Sequence, residues 1–169
     1  MTISFNRSGT TITAFSGGTG ALVIPGDVTA IASNAFYGIQ YITSLFFATP
    51  SSLTVIGGSA FSGCTSISNV NLPNTVTTIG SYAFNGCSGL TGDLTLPGSV
   101  TSILDNAFNG CSSLTGNLTL PSCLTSIGAS AFVGCKFTGN LTIPTGVTTI
   151  GNGAFNGCST FDDWSCRRN

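Results

Sequence analysis

The 169-residue chain contains no histidine and no glutamate, and its only charged residues are Arg7, Lys136, Arg167 and Arg168 against Asp27, Asp93, Asp105, Asp162 and Asp163. A charged fraction of 5%, where soluble domains typically have about 25%, leaves Thr, Ser, Asn and Gly to make up most of the surface. Four cations cannot form the basic stripe that neutralises phosphates, which excludes nucleic-acid binding and disfavours an anionic membrane surface. Gly, Pro or polar residues interrupt every apolar stretch well short of the ~18 residues of a spanning helix, so no membrane insertion is expected. The opening MTISFNRSGTTITAFSGG lacks a positive segment followed by an apolar one, so no signal peptide is read there.

The chemical absences are as informative. Nucleophilic hydrolysis needs a base beside Ser or Cys, and the usual base is missing. The only closely spaced carboxylates, Asp162 and Asp163, are adjacent; in a strand they would point to opposite faces instead of flanking a scissile bond. Zinc sites need paired C-x-x-C or Cys/His spacing, which does not occur. The glycines form no Walker or dinucleotide fingerprint. No catalytic residue, cofactor site or metal site is expected, and the chain reads as non-enzymatic.

What the sequence does contain is one unit written six times. Leu118 to Cys135, LTLPSCLTSIGASAFVGC, returns as LPNTVTTIGSYAFNGC from Leu72, LPGSVTSILDNAFNGC from Leu96 and IPTGVTTIGNGAFNGC from Ile143. Looser copies start at Ile24 and Pro50. The Phe of each Ala-Phe pair sets the register at Phe36, Phe61, Phe84, Phe108, Phe132 and Phe155, a period of 23 to 25 residues. A period of that size marks a solenoid, in which each unit touches only its neighbours.

Each unit has three parts. L-x-L-P alternates inward and outward side chains and ends at a Pro that cannot donate to a ladder, so it reads as the rung strand. V-T-x-I reads as a short extended or turn segment. The third, x-x-A-F-x-G-C, reads as a single helical or 3₁₀ turn closed by a Gly with positive φ. The recurrent Phe is the core column: burying one such ring contributes about 1.5–3 kcal/mol.

Five of the seven cysteines, Cys64, Cys87, Cys111, Cys135 and Cys158, occupy one repeat position, which Ile39 fills in the first copy. An apolar substitute there favours small buried thiols, with disulfides or metal as the alternatives. Residues 1–20, outside the repeat, read as an N-terminal cap built on a short strand pair. Residues 21–160 form the solenoid, and 161–169, with Phe161, Trp164 and Cys166 at the repeat's apolar spacing, a partial last rung or C-terminal cap.

The unit from Cys64 to Cys87, CTSISNVNLPNTVTTIGSYAFNGC, resembles the repeat of the BspA-like leucine-rich repeat family, L-x-x-I-x-I-P-x-x-V-T-x-I-G-x-x-A-F-x-x-C, almost position for position. The resemblance spans about residues 21 to 166. It implies a right-handed, curved leucine-rich-repeat solenoid of about six repeats. Short parallel strands would lie on the concave face, and loops and single helical or 3₁₀ turns on the convex face. Members of that family are typically surface or secreted proteins acting in adhesion, and they share no catalytic residues. The resemblance thus implies an extracellular or cell-surface location and a protein or glycan ligand.

Two outward columns remain for function. On the strand face Asn71, Thr95, Thr119 and Thr142 stack one per rung, flanked by Asn69, Asp93, Asn117 and Asn140, as a ladder of short hydrogen-bonding groups. Ligand contact and inert polar surface both fit this ladder. The second column, Thr29, Thr54, Thr77, Thr101, Thr125 and Thr148, fits Thr's preference for extended backbone and a hydroxyl that satisfies a local peptide group. The leading expectation is a binding module for cell-surface adhesion or receptor recognition through the concave strand face. The alternatives are end-to-end self-association through the solenoid ends and, more weakly, ice or surface binding by the Thr ladders.

Overall fold

The computed structural model describes residues 3–158 and the backbone of 163–165. Fourteen short strands follow one another: β1 (Ser4–Ser8), β2 (Thr11–Gly17), β3 (Gly20–Ile24), β4 (Ala30–Ile31), β5 (Ile42–Phe47), β6 (Val55–Ile56) and β7 (Thr78–Ile79). Then come β8 (Leu94–Thr95), β9 (Ser102–Ile103), β10 (Leu118–Thr119), β11 (Ser126–Ile127), β12 (Asn140–Thr142), β13 (Thr149–Ile150) and β14 (Asp163–Ser165). They wind into a β-solenoid of about six turns with parallel pairing between successive rungs.

The longest continuous sheet is built from the V-T-x-I segments, the part of the unit with the weaker strand signature. Its order is β1-β2-β4-β6-β7-β9-β11-β13. The pairs from β2 onward are parallel and in register, Ile12↔Ile31, Ile31↔Ile56 and so on to Ile127↔Ile150. The L-x-L-P segments also pair in parallel, but in separate pieces: β3 with β5, β8 with β10 and β12 with β14, plus a single bridge from Leu45 to Val70. The backbone register of β14 sets Trp164 opposite Leu141, one rung beyond Leu118, while Phe161 and Cys166 lie outside the described residues.

The A-F-x-G segments are neither α-helix nor 3₁₀-helix among the described residues. Their N–H groups alternate. In the first copy Ala35, Tyr37 and Ile39 donate to carbonyls three residues back, whereas Asn34, Phe36 and Gly38 donate to Gly58, Ala60 and Ser62 of the next rung. Beyond its first turn a helix would spend its amides within its own segment. This run of reverse turns spends half of them on stacking, which makes it a third wall of the solenoid. The alternation requires left-handed backbone twice per copy, at the Gly of A-F-x-G (Gly86, φ 70°) and two residues before the Phe (Tyr82, φ 60°).

The core runs along the axis. Successive rings from Phe36 to Phe155 stack with centroids 5.2–5.6 Å apart and interplanar angles of 9° or less. Phe36 would otherwise end the stack uncovered. The antiparallel hairpin β1–β2 lays Phe5 and Phe15 edge-on against it, at 6.4 and 6.5 Å. Arg7 ties the hairpin to the first repeat by an ion pair with Asp27 at 2.6 Å, and that hydrogen bond holds the Asp27 carboxyl below its usual range.

The cysteine column is buried and every described cysteine is free. Each thiol of the column donates to the carbonyl of a Phe one rung back: Cys64 to Phe36, Cys87 to Phe61, Cys111 to Phe84, Cys135 to Phe108 and Cys158 to Phe132, at 3.0–3.3 Å. Ile39 fills this position in the first copy, partly buried against the same core. Burial pushes the Cys64 and Cys135 thiols up to about 12 and Cys158 to about 11, and lifts Cys87 and Cys111 well above the ordinary thiol range.

Candidate functional site

Alternation in the L-x-L-P strands places one residue per rung outside. Leu94, Leu118 and Leu141 are buried, while Thr95, Thr119 and Thr142 between and beyond them are exposed, as is Asn71 beyond buried Val70. Thr95 and Thr119 are direct partners across β8 and β10. Thr142 pairs in backbone register with Ser165, and Asn140 with Asp163. The flanking column is less uniform. Asp93 and Asn117 use their side chains on each other: the Asp93 carboxylate accepts the Asn117 backbone N–H at 2.7 Å and its side-chain amide at 3.3 Å. Asn69 is half-buried, with its Oδ1 enclosed and lacking a hydrogen-bond partner among the described residues. Asn140 is exposed.

The two polar columns differ in what their side chains do. In the V-T-x-I column the hydroxyls of Thr54, Thr77, Thr125 and Thr148 donate to the carbonyls of Thr29, Thr54, Thr101 and Thr125, at 2.9–3.2 Å. The peptide group each satisfies belongs to the preceding rung, so the acceptor is a neighbouring turn and not the local one anticipated from Thr's habits. These hydroxyls are mortar between rungs. The hydroxyls of Thr95, Thr119 and Thr142 and the amide of Asn71 have no such partner among the described residues. A donor–acceptor group that is exposed and uncommitted within the chain remains available to a ligand.

Two more residues belong to the outward column. β3 and β5 pair Leu22 with Leu45 and Val23 with Phe46, and Leu45 bridges Val70, so Val23 and Phe46 precede Asn71 in the same file. They are 53% and 48% exposed, while Leu22 and Leu45 beneath them are buried. The column therefore runs from an apolar end, Val23 and Phe46, to a hydroxyl end, Thr95 to Thr142. Phe46 is legible from the alternation of Leu45-Phe46-Phe47; Val23 required the register between rungs, because A-L-V-I-P reads as one apolar strand.

One step of the main sheet is loose. Gly57, Gly80, Gly128 and Gly151 follow the Ile of V-T-x-I and donate to the previous rung at 2.8–2.9 Å, whereas Leu104 occupies that place in the fourth copy and reaches Ile79 at 3.3 Å. An open cleft of about 270 Å³ lies beside it, lined by Leu104, Asp105 and Gly128 among others. The Asp105 carboxylate there accepts the Ala129 N–H at 2.7 Å. No group of three or more metal-ligating side chains gathers among the described residues, and none of their helices is long and apolar enough to cross a membrane.

A model of the BspA type leucine rich repeat region matches six copies, over residues 13–114 and 91–169. Among solved structures, the T. pallidum leucine rich repeat protein is 27% identical with a TM-score of 0.70, covering 95% of this chain and 88% of its own. A leucine rich cell surface protein of Faecalibacterium prausnitzii is 32% identical with a TM-score of 0.65, covering 92% of this chain and 50% of its own. A leucine-rich repeat protein of Bacteroides ovatus is 30% identical with a TM-score of 0.64, covering 95% of this chain and 39% of its own. The chain thus spans half or less of the length of the last two. No curated protein is significantly similar to it.

Proposed function

Since the chain belongs to the BspA-type leucine-rich repeat family, we propose that it is a non-enzymatic recognition module that binds an extracellular protein or glycan through the outward column from Val23 to Thr142. The observation that carries this reading is the contrast between the two polar columns. Four hydroxyls of the V-T-x-I column, those of Thr54, Thr77, Thr125 and Thr148, hold rungs together, whereas those of Thr95, Thr119 and Thr142 face out with no hydrogen-bond partner among the described residues. A solenoid that exposes a regular, uncommitted file along one wall offers an extended surface of the kind repeat proteins use for binding. The Faecalibacterium relative is described as a cell surface protein, which supports placing this module outside the cell, in adhesion or receptor recognition.

The test is a binding array of purified extracellular proteins and glycans, probed with the parent chain and with a Thr95→Lys/Thr119→Lys/Thr142→Lys variant. We expect at least one partner that the parent retains and the variant loses. A variant carrying Thr54→Val and Thr77→Val, in the other column, should keep the partner. Equal retention by all three proteins, or no partner at all, would count against the assignment.

End-to-end association is the second reading, carried by β13. Among the described residues it is the last strand of the eight-stranded sheet, and Ile150 on it is 40% exposed. Such an edge can template pairing with another chain. Light scattering after size exclusion separates the readings, since a monomer at high concentration removes this one.

A further inference from the structure

One copy of the repeat departs from the others in the step from the L-x-L-P strand to the V-T-x-I strand. In five copies the step from the last strand position to the Val or Leu is four in sequence number, as from Leu72 to Val76 and from Leu96 to Val100; from Phe47 to Leu53 it is six. The two extra residues bulge out over the first rung. There Ser52 donates to the Gly26 carbonyl at 2.9 Å. A Cβ on Gly26 would meet the Pro50 carbonyl at 2.4 Å, so the bulge sits directly on a position that only Gly can occupy. Between this bulge and the L-P-N-T turn of the next rung opens a cleft of about 500 Å³, within the ~300–1,000 Å³ of small-ligand sites.

The lining names the ligand's chemistry. Phe46 presents a half-exposed ring at the mouth; Asn71, Asn74, Thr49 and Thr75 are exposed around it. No lining residue is charged, and no Asp, Glu, Lys or Arg occurs anywhere from residue 28 to residue 92. An ionised ligand would lose hydration here and meet no counter-charge. A neutral sugar has the matching surface: C–H patches, weakly positive, that rest on the negative face of an aromatic ring, and a rim of hydroxyls that both donate and accept toward amides and hydroxyls. We propose that this cleft binds an uncharged sugar residue of a glycan, stacked on Phe46 and hydrogen-bonded by Asn71 and Asn74. The inference rests on reading the Val23–Thr142 column as the recognition side of the solenoid, and it assigns the column's apolar end to a sugar.

Saturation-transfer difference NMR on the full chain, with glucose, galactose, mannose and N-acetylglucosamine as probes and glucuronate and glucosamine as charged controls, tests it. Transfer to the ring C–H protons of at least one neutral sugar, and to neither charged one, is expected. Phe46→Ala should weaken that binding by about tenfold or more, the loss of one stacking contact. Asn74→Ala, at an exposed turn position, should weaken it as well with an unchanged denaturation midpoint, which separates loss of contact from loss of fold. Silence from all neutral sugars, equal transfer to the charged ones, or binding untouched by both substitutions would overturn the proposal. If a protein partner is lost with the triple Thr→Lys variant while no sugar binds, the recognition face stands and the sugar cleft falls. If a sugar binds through Phe46 while the triple variant keeps every partner, the cleft stands and the wider face falls.

Discussion

Tyr82 holds φ at 60°, a conformation that glycine adopts freely and a bulky L-residue does not. The same place in the repeat is Asn34, Ser59, Asn106 and Ser130, all left-handed, and finally Gly153 at φ 65°. The backbone demand is constant and the side chain is whatever can tolerate it. Left-handed backbone costs an L-residue roughly 1–2 kcal/mol, and the Tyr82 side chain is 45% exposed, so little packing offsets that strain. Tyr82→Gly should therefore stabilise the protein by about 1 kcal/mol, read as a higher midpoint in chemical denaturation; a lower midpoint would show that the tyrosine's contacts outweigh its strain. Phe108 is the opposite case. Its ring is fully buried between Phe84 and Phe132 at 5.2 and 5.6 Å, and Phe108→Ala should cost about 3–5 kcal/mol. Unfolding within ~1 kcal/mol of the parent would contradict a stacked core.

At the scale of the element, rung spacing is set by what lies directly above each backbone. Gly80 is a close-approach position: a Cβ there would sit 2.7 Å from the Gly57 carbonyl carbon and from the Gly58 nitrogen. Both are backbone atoms that cannot swing aside. Gly80→Ala should destabilise by about 1–3 kcal/mol, as overpacking does, and should speed amide exchange around β6 and β7 more than in distant rungs. Two copies carry a side chain at this position: Ala32, over the hairpin strand, donates to Ile12 at 2.8 Å, and Leu104, over a full rung, reaches Ile79 only at 3.3 Å. The wall most evident from sequence, L-x-L-P, turned out to carry discontinuous pairs. The plainer V-T-x-I segment forms the continuous sheet, because its close Gly positions let successive backbones approach and its Thr hydroxyls bond the rung before. Neither the close approach nor the inter-rung acceptor is visible within one copy of the repeat.

Taken as a whole molecule, the solenoid encloses a file of five neutral thiols. Their unfolded value is near 9.0, and burial raises the folded values to about 11 for Cys158 and about 12 for Cys64. Above pH ~9 the unfolded chain releases protons that the folded chain keeps, so stability is complete below that pH and falls as pH rises, by up to about 1.4 kcal/mol per unit for each thiol. Alkaline denaturation should thus begin well before the folded thiols titrate, and Cys87→Ala/Cys111→Ala should flatten the pH dependence; an unchanged slope would exclude the thiols as its source. A thiol reagent should find exposed Cys123 in the native protein and the five column cysteines only after unfolding.

How far the sequence alone reaches is visible in particular residues. The Phe register, the inward Leu and Ile positions, the buried cysteines and the outward Thr95, Thr119 and Thr142 all follow from a period of 23 to 25 joined to an alternation of two, because periodicity records which side of the chain meets the core. Periodicity says nothing about which neighbour a polar group chooses. Whether a threonine hydroxyl is spent on the next rung, whether a Gly-closed turn coils into helix or bonds sideways, and whether Val23 and Phe46 stand in the same file as Asn71 depend on the register between rungs. Two extra residues after Phe47 read in sequence as an irregular link; only against the rung before and the rung after do they become a cleft. The sequence by itself determined a stacked, uncharged scaffold with a buried spine, and the tertiary structure decided which of its outward groups are mortar and which stay without a partner among the described residues. Hydrogen bonds between rungs join residues more than twenty positions apart, and no local pattern encodes them.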